Sequence, residues 1–149
     1  MDKKRLTTIL AKADSAAVAA LSADVLKNHN AVIVKEPTKT LAMIKMREPV
    51  EQSLFYIGEV IVCEAAVELE GTKGKAVCMG GDTDKTLHMA ISDAAINKGV
   101  FADMPTLLKM EEEQIAALQR ENAMHMKTMV NFTSMDGEAP QDVSAFQKT

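Results

Sequence analysis

The side chains best placed for chemistry lie in segment 80–88, which begins Gly-Gly-Asp-Thr-Asp-Lys between a predicted strand and a predicted helix. A helix N-terminus presents free amides and the positive end of the helix dipole, so it can bind an anion such as phosphate. Asp82 and Asp84 would repel that anion unless Mg²⁺ lay between them. The spacing matches neither a Walker A loop nor a dinucleotide-binding fingerprint. The segment therefore predicts a glycine turn with an acidic helix cap, and a magnesium-mediated phosphate contact is the alternative.

Each of the three histidines has a chemical and an ordinary interpretation. His88 follows Asp84 by four residues, so the two would share a helix face and could form an acid–base pair or a plain surface pair. His125 and Met129 would also share a face, where they could offer soft ligands to copper or simply pack. His29 follows a helix end, where an imidazolium would interact favourably with the dipole.

The cysteines and the remaining polar residues provide no recognisable site. Two cysteines are too few for a disulfide scaffold or a zinc site. A hairpin with Gly71 opposite Gly74 would place Cys78 opposite Val67 and Cys63 roughly 13 Å further along the strand, at about 3.3 Å per residue. That distance exceeds the disulfide limit of about 7 Å, so two free thiols are expected. We expect no catalytic residue, no cofactor contact and no metal ligand in this chain.

Length and composition predict one domain over residues 1–149, with a mobile tail at 136–149. The formal net charge is −4, and 47% of residues are hydrophobic. This acidic balance does not suggest a nucleic-acid surface, and no apolar run reaches the length of a membrane span. The N-terminus is too mixed for a signal peptide, so a soluble, cytoplasmic protein is expected.

The periodicity of apolar residues changes twice along the chain. It is helical in the first 27 residues, extended over the centre and helical again from about residue 83. In 54–69, Ile61 and the odd-numbered residues that follow it are apolar and alternate with glutamates, which indicates an antiparallel sheet with one buried face. The sequence thus predicts an α+β fold with about four strands, at 31–35, 41–47, 54–69 and 75–79. N-terminal helices and a long C-terminal helix from Pro105 to about Met129 would flank this meander.

Five motifs follow one another along the chain: F-x-x-G-E at 55–59, A-V-E-L at 66–69 with glycines at 71 and 74, G-G-D at 80–82, S-D-A at 92–94 and V-N-F-T-S-M at 130–135. Their order and spacing resemble the PhnG family, the small G subunit of the carbon–phosphorus lyase system. The resemblance extends over about residues 5–137. The family-motif positions are Gly58, Glu59, Gly80, Asp82, Asp93 and Phe132.

The resemblance implies an accessory subunit of phosphonate catabolism. Such a complex makes α-D-ribose 1-methylphosphonate 5-triphosphate from MgATP and methylphosphonate, because the phosphonate replaces adenine at the anomeric carbon of the ribose. In the family the active site is attributed chiefly to the larger I subunit. The resemblance therefore implies a non-catalytic partner of that subunit, with MgATP as a substrate of the complex.

Another class of function is also compatible with the residues. The chain could be a stand-alone, self-associating α+β domain with a small anion or nucleotide site near residues 80–88. Under either hypothesis the isolated chain is expected to form a homo-oligomer, because a subunit separated from its obligate partner exposes the apolar surface of the interface. The expected docking element is the long C-terminal helix, through Leu107, Met110, Met124 and Met126.

Overall fold

The structure, a computed structural model, describes residues 2–130. Its elements are α1 (Lys3–Lys12), α2 (Ser15–Asn28), β1 (Ala31–Arg47), β2 (Leu54–Leu69), β3 (Thr72–Met79), α3 (Thr83–Lys98) and α4 (Met104–Lys127). Residues 1–115 form one compact unit, and the second unit, 116–149, is described only for the end of α4 and the three residues after it. The predicted tail lies outside the described residues, and the single domain stays a prediction.

The predicted α+β fold with an antiparallel sheet is confirmed, but the described residues contain three strands rather than about four, in the order β1-β2-β3. The two short strands predicted on either side of Pro37 are one strand, β1. Pro37 is tolerated there because β1 is an edge strand and its register with β2 slips between Lys35 and Thr38. The proline marks an irregularity in the strand and does not end it.

A two-residue turn, Glu70-Gly71, joins β2 to β3. Both residues have positive φ, 46° and 88°, as a tight type I′ hairpin turn requires. The resulting register sets Cys63 directly opposite Cys78, so the predicted pairing of Cys78 with Val67 was wrong. Opposite residues have Cα atoms about 4.5–5.5 Å apart, within the range of a disulfide. Both thiols are free and buried, as expected. The separation of the two cysteines, however, does not prevent a disulfide.

One face of the sheet forms the core together with α1, α2 and α3. On β2 the buried face comprises Cys63, Ala65, Val67 and Leu69, as the alternation predicted. Ile61 was expected on this face but is exposed, because it lies where the pairing with β3 ends.

The contact between α3 and β3 is unusually close at Gly74. A Cβ added to this glycine would lie 2.3 Å from the carbonyl oxygen of Ala90 and 2.4 Å from the backbone nitrogen of Ala94. Gly74 therefore lets the backbone of α3 lie directly against β3. The helix ends at Gly99, whose φ of 78° gives it a left-handed C-terminal cap.

The long C-terminal helix α4 contributes to the core through its first turns. Leu107 is fully buried, and Met104 and Met110 pack against the same core. Leu108 and Ile115 are exposed.

Candidate functional site

Segment 80–88 forms the predicted acidic helix cap. The Asp82 carboxylate accepts a hydrogen bond from the backbone amide of Lys85 at 2.9 Å, which satisfies an orphan donor at the start of α3. This hydrogen bond is the main reason that the pKa of Asp82 lies below its usual value, and the Ser15 hydroxyl and the Lys85 charge act in the same direction. Gly80, just before the cap, has a φ of 101°.

The Lys85 ammonium group serves the fold. It donates to the carbonyl oxygens of Ala11 and Ala13, both at 2.7 Å, and so neutralises the negative end of α1. Within residues 2–130, no group of three or more histidine, cysteine, aspartate or glutamate residues could hold a metal ion. No observation on segment 80–88 favours an anion or nucleotide site over its role as a helix cap.

His88 bonds to a different partner from the one predicted. Its Nδ1 lies 2.7 Å from the Ser22 hydroxyl across the contact between α2 and α3, so the predicted pair with Asp84 was wrong. The Ser22 Oγ is also 2.8 Å from the carbonyl oxygen of Ala19, which can only accept. The arrangement satisfies both contacts if Ser22 donates to Ala19 and the His88 Nδ1–H donates to Ser22.

This direction of donation is the reverse of what a serine nucleophile needs, because the activating base must accept the hydroxyl proton. Ser22 is also completely buried, so no substrate can reach it. The Ser22–His88 pair therefore joins two helices. It went unpredicted because its members are 66 positions apart in the sequence.

The other two histidines lie at the C-terminal ends of helices. His29 caps the end of α2, as expected, and its Nδ1 lies 3.1 Å from the Glu70 carboxylate. Lys98 also donates to Glu70, and these two hydrogen bonds, that of Lys98 first, hold the pKa of Glu70 below its usual value. His125 and Met129 are exposed.

Asp93 is the most thoroughly engaged of the family-motif positions. Its buried carboxylate accepts from the backbone amide of Lys75 at 3.0 Å and from the side-chain amide of Asn97 at 3.1 Å, and it pairs with Lys3 at 3.5 Å. Asp93 thereby fixes α3 to β3 beside the close contact at Gly74. Asp93 and Asp82 thus both stabilise α3, while Phe132 lies outside the described residues.

Gly58 and Glu59, by contrast, lie in a part of the sheet that projects beyond the core. We call residues 38–47 of β1 and 54–61 of β2 the ribbon. Nine large apolar side chains of the ribbon are between 40% and 61% exposed. These side chains are Leu41, Met43, Ile44, Met46, Leu54, Phe55, Tyr56, Ile57 and Ile61.

The ribbon is apolar on both faces. Leu41 lies opposite Ile61 on one face, and Met46 lies opposite Phe55 on the other. A strand that is buried on one side only alternates apolar and polar residues, whereas strands buried on both sides form nearly continuous apolar runs. The segment L-F-Y-I at 54–57 is such a continuous apolar run, but it was not predicted to be a docking surface.

The helix that was expected to dock contributes less than predicted. Leu107 is completely buried and cannot meet a partner, and Met110 is only partly exposed. Met124 and Met126 are exposed near the end of α4. The ribbon, not this helix, carries the larger exposed apolar surface of the described residues.

These observations define a class: an α+β protein whose polar side chains stabilise its own fold and whose main candidate functional surface is an exposed apolar ribbon. The family model "Phosphonate metabolism protein PhnG" matches residues 1–137, and the chain belongs to this family. It is thus a subunit of the carbon–phosphorus lyase system of phosphonate metabolism. No curated protein matches the chain. None of the helices in residues 2–130 is long and apolar enough to cross a membrane.

Proposed function

We propose that this chain is a non-catalytic, cytoplasmic accessory subunit of a carbon–phosphorus lyase complex and that it docks onto the I subunit through the ribbon. The complex would make α-D-ribose 1-methylphosphonate 5-triphosphate from MgATP and methylphosphonate. MgATP would bind on the partner, and the transfer of the phosphonate to ribose would take place there. This chain would supply shape and contact area to the assembly.

The exposed area of the ribbon is the observation that carries the proposal. Aromatic side chains such as Phe55 and Tyr56 present on the order of 150–250 Å² when fully exposed and the seven Leu, Ile and Met side chains present less, so the nine at about half exposure present at most roughly 1,100 Å², divided between the two faces of the ribbon. The largest apolar patch on a typical monomer is about 300–600 Å². One side of a stable protein interface is about 800 Å². The ribbon thus has the size and composition of one half of an interface.

The engagement of the chemically capable side chains supports the non-catalytic role. The polar atoms of Ser22, Lys85 and Asp93 all form hydrogen bonds within the fold. A catalytic group must be within hydrogen-bond reach of a substrate, and these atoms already hold helices and strands together. The proposal therefore places proton transfer and charge stabilisation on another polypeptide.

The same surface supports the expectation that the isolated chain self-associates. Within residues 2–130 nothing covers the faces of the ribbon, so without its partner the ribbon would bury them against another copy. Light scattering should therefore report a dimer or larger species at high protein concentration. A strict monomer over the whole accessible concentration range would contradict this part of the proposal.

Co-expression with the I subunit, followed by affinity purification and size-exclusion chromatography, tests the docking. We expect the wild-type chain to co-purify and the double variant Leu41→Lys/Met46→Lys, altered on both faces of the ribbon, to lose more than about 30-fold in affinity. The matched control is Met124→Lys on α4, which should bind like wild type. Failure of the wild-type chain to co-purify, or loss of binding only with Met124→Lys, would refute docking through the ribbon.

A further inference from the structure

We infer that an extended segment of the partner subunit adds a fourth strand along the open edge of β2 at Gly58–Glu59. That segment carries a lysine or arginine opposite Glu59 and a bulky apolar side chain opposite Gly58. The inference rests on the proposed function, because it names how the partner engages the ribbon.

The edge is open because β3 is shorter than β2. Pairing with β3 covers β2 only from Val62 to Leu69, and the amide of Gly80 adds one last hydrogen bond to the carbonyl oxygen of Ile61. Backbone groups alternate in direction along an antiparallel strand. Since Ile61 faces the β3 side, the amide and carbonyl of Glu59 also point to that side, where no strand of residues 2–130 pairs with them.

The two edges of the ribbon differ in chemistry. Within the ribbon, the outer edge of β1 carries the cations Lys39, Lys45 and Arg47, and Pro37 and two register slips lie just before it, all of which discourage strand addition. The open edge of β2 reads L-F-Y-I-G-E-V over 54–60, with no proline, no lysine and a single charge. The β2 edge carries one bulge, at Ile57, but an apolar edge with a single charge still accepts another strand. The two edges of the ribbon therefore differ chiefly in charge, and the β2 edge is the more open to strand addition.

Gly58 lies next to the bulge of β2, because Ile44 and Lys45 pair with Gly58 and Tyr56 and leave Ile57 extra, but no contact within its own chain requires a glycine there. A Cβ added there would meet nothing within 4 Å, and its φ is not positive, so the backbone could carry any side chain. Glycine inside a strand is unfavourable by about 0.5–1 kcal/mol relative to alanine. A strand glycine marks a bulge or leaves space for a close neighbour, and a bulky cross-strand side chain can fill the space above an edge glycine.

Glu59 requires a cation once the ribbon is covered. It is the single carboxylate in residues 37–47 and 54–61, it is exposed, and it lies opposite Met43. It forms no ion pair with any other described residue. A carboxylate that loses its water needs an opposite charge in compensation. A basic side chain directly across the new strand pair would supply that charge.

A second copy of this chain does not fit the same place. A two-fold contact brings the same surface of both copies together. Centred here, it would set Glu59 opposite Glu59 of the other copy, and like charges directly opposite each other destabilise a strand pair. The occupant of the Gly58–Glu59 edge is therefore a different polypeptide with complementary charge, whereas self-association of the isolated chain would use other parts of the ribbon.

The affinity of the full chain for the I subunit, measured by calorimetry, tests the inference. Glu59→Gln removes only the charge and should weaken binding at least about 30-fold, the loss typical of a broken buried charge pair. Glu59→Pro also removes the outward amide and should bind more weakly still; an edge position tolerates proline. Gly58→Val should weaken binding about 10-fold or more by filling the space above the strand. Exchange of the Glu59 amide hydrogen should slow in the complex.

Lys45→Met is the matched control, because Lys45 is the diagonal neighbour of Glu59 within the ribbon and could neutralise it in cis. We expect its affinity to stay within threefold of wild type. If Glu59→Gln, Glu59→Pro and Gly58→Val all bind normally while Leu41→Lys/Met46→Lys does not, the ribbon docks elsewhere and this inference is overturned alone. Equal losses for Lys45→Met and Glu59→Gln would also overturn it, since the cation would then belong to this chain. If the wild-type chain does not bind the I subunit, both proposals fall.

Discussion

Replacing Gly74 with alanine should force α3 away from β3. The new Cβ would lie 2.3 Å from the carbonyl oxygen of Ala90 and 2.4 Å from the backbone nitrogen of Ala94, as well as 2.7 Å from the Ala94 Cβ. Unstrained contacts of this kind are about 3.5–4.0 Å long, so the helix would have to move by about 1 Å or more. Two of the three contacts are to backbone atoms, and no side-chain rotation can relieve them.

The expected loss of stability is large for a single methyl group. Overpacking typically destabilises by about 1–3 kcal/mol when side chains can adjust, and a clash with a helix backbone belongs at or above the upper end. Replacing a glycine also restricts the unfolded chain, which stabilises by about 0.4–1 kcal/mol and offsets only part of the loss. A net loss of about 2–3 kcal/mol would lower the Tm by about 5–12 °C in a domain of this size.

Urea unfolding followed by far-UV circular dichroism measures this loss, at protein concentrations low enough to prevent self-association. Gly58→Ala is the matched control, since it makes the same chemical change in the same sheet at a position with nothing within 4 Å. It should leave the free energy of unfolding within about 0.5 kcal/mol of wild type, or raise it slightly. Equal midpoints for the two variants, with unchanged m-values, would refute the close packing of α3 on β3.

Three further predictions concern contacts within the fold. Asp93→Ala leaves a partly buried backbone amide of β3 without its acceptor and should lower the free energy of unfolding by about 1–2 kcal/mol in the same urea assay. Asp82→Ala should lose about 1 kcal/mol at pH 7. Because the folded-state pKa of Asp82 is lowered, this difference should shrink as the pH falls below about 3.9 and through the folded-state pKa, which melts at several pH values would follow. Prolonged treatment with diamide should join Cys63 to Cys78 within one chain, with loss of two hydrogens by mass spectrometry; exclusively intermolecular products would contradict their register.

The core was predictable because its signals are local. Leu6, Ile9 and Leu10 repeat at helical spacing in α1 and are buried, and the alternation from Cys63 to Leu69 marks the buried face of β2. The helix caps were equally local, since Asp82 needs only its neighbours to accept a backbone amide and Gly99 only its own backbone freedom. In these cases the residues of a single element determine its structure, and the prediction and the structure agree.

The register of the hairpin was not predictable in the same way. The expected pairing put the two glycines, Gly71 and Gly74, opposite each other as turn residues. In the structure Glu70 and Gly71 are the two positive-φ turn residues, and Gly74 lies inside β3, where α3 packs against it. The contact of Gly74 with a helix far along the chain decided its role, and spacing within the hairpin carries no record of that contact.

Two features of the candidate site depend on which other element or chain packs against a segment, and the sequence of that segment does not specify this. His88 could have faced Asp84 or another helix, and only the packing of α2 against α3 selects Ser22. The apolar run at 54–57 predicts burial, but nothing in the run says whether this chain or another provides the cover. Within residues 2–130 both faces of the ribbon are left exposed, so the same pattern that builds the core elsewhere forms the proposed interface here.

Because the described helices cover the core half of the sheet but not the ribbon, the two should differ in local stability. Within residues 2–115 the ribbon is held chiefly by the hydrogen bonds between β1 and β2, and a two-stranded ribbon alone is at best marginally stable in water. Segments with few buried apolar contacts open at low free energy, so its amides should exchange faster than those of the core half of β2. Covering the faces would add burial, and filling the open edge would add backbone hydrogen bonds. Partner binding is therefore expected to complete the folding of the ribbon, which links the assembly of the complex to the stability of this subunit.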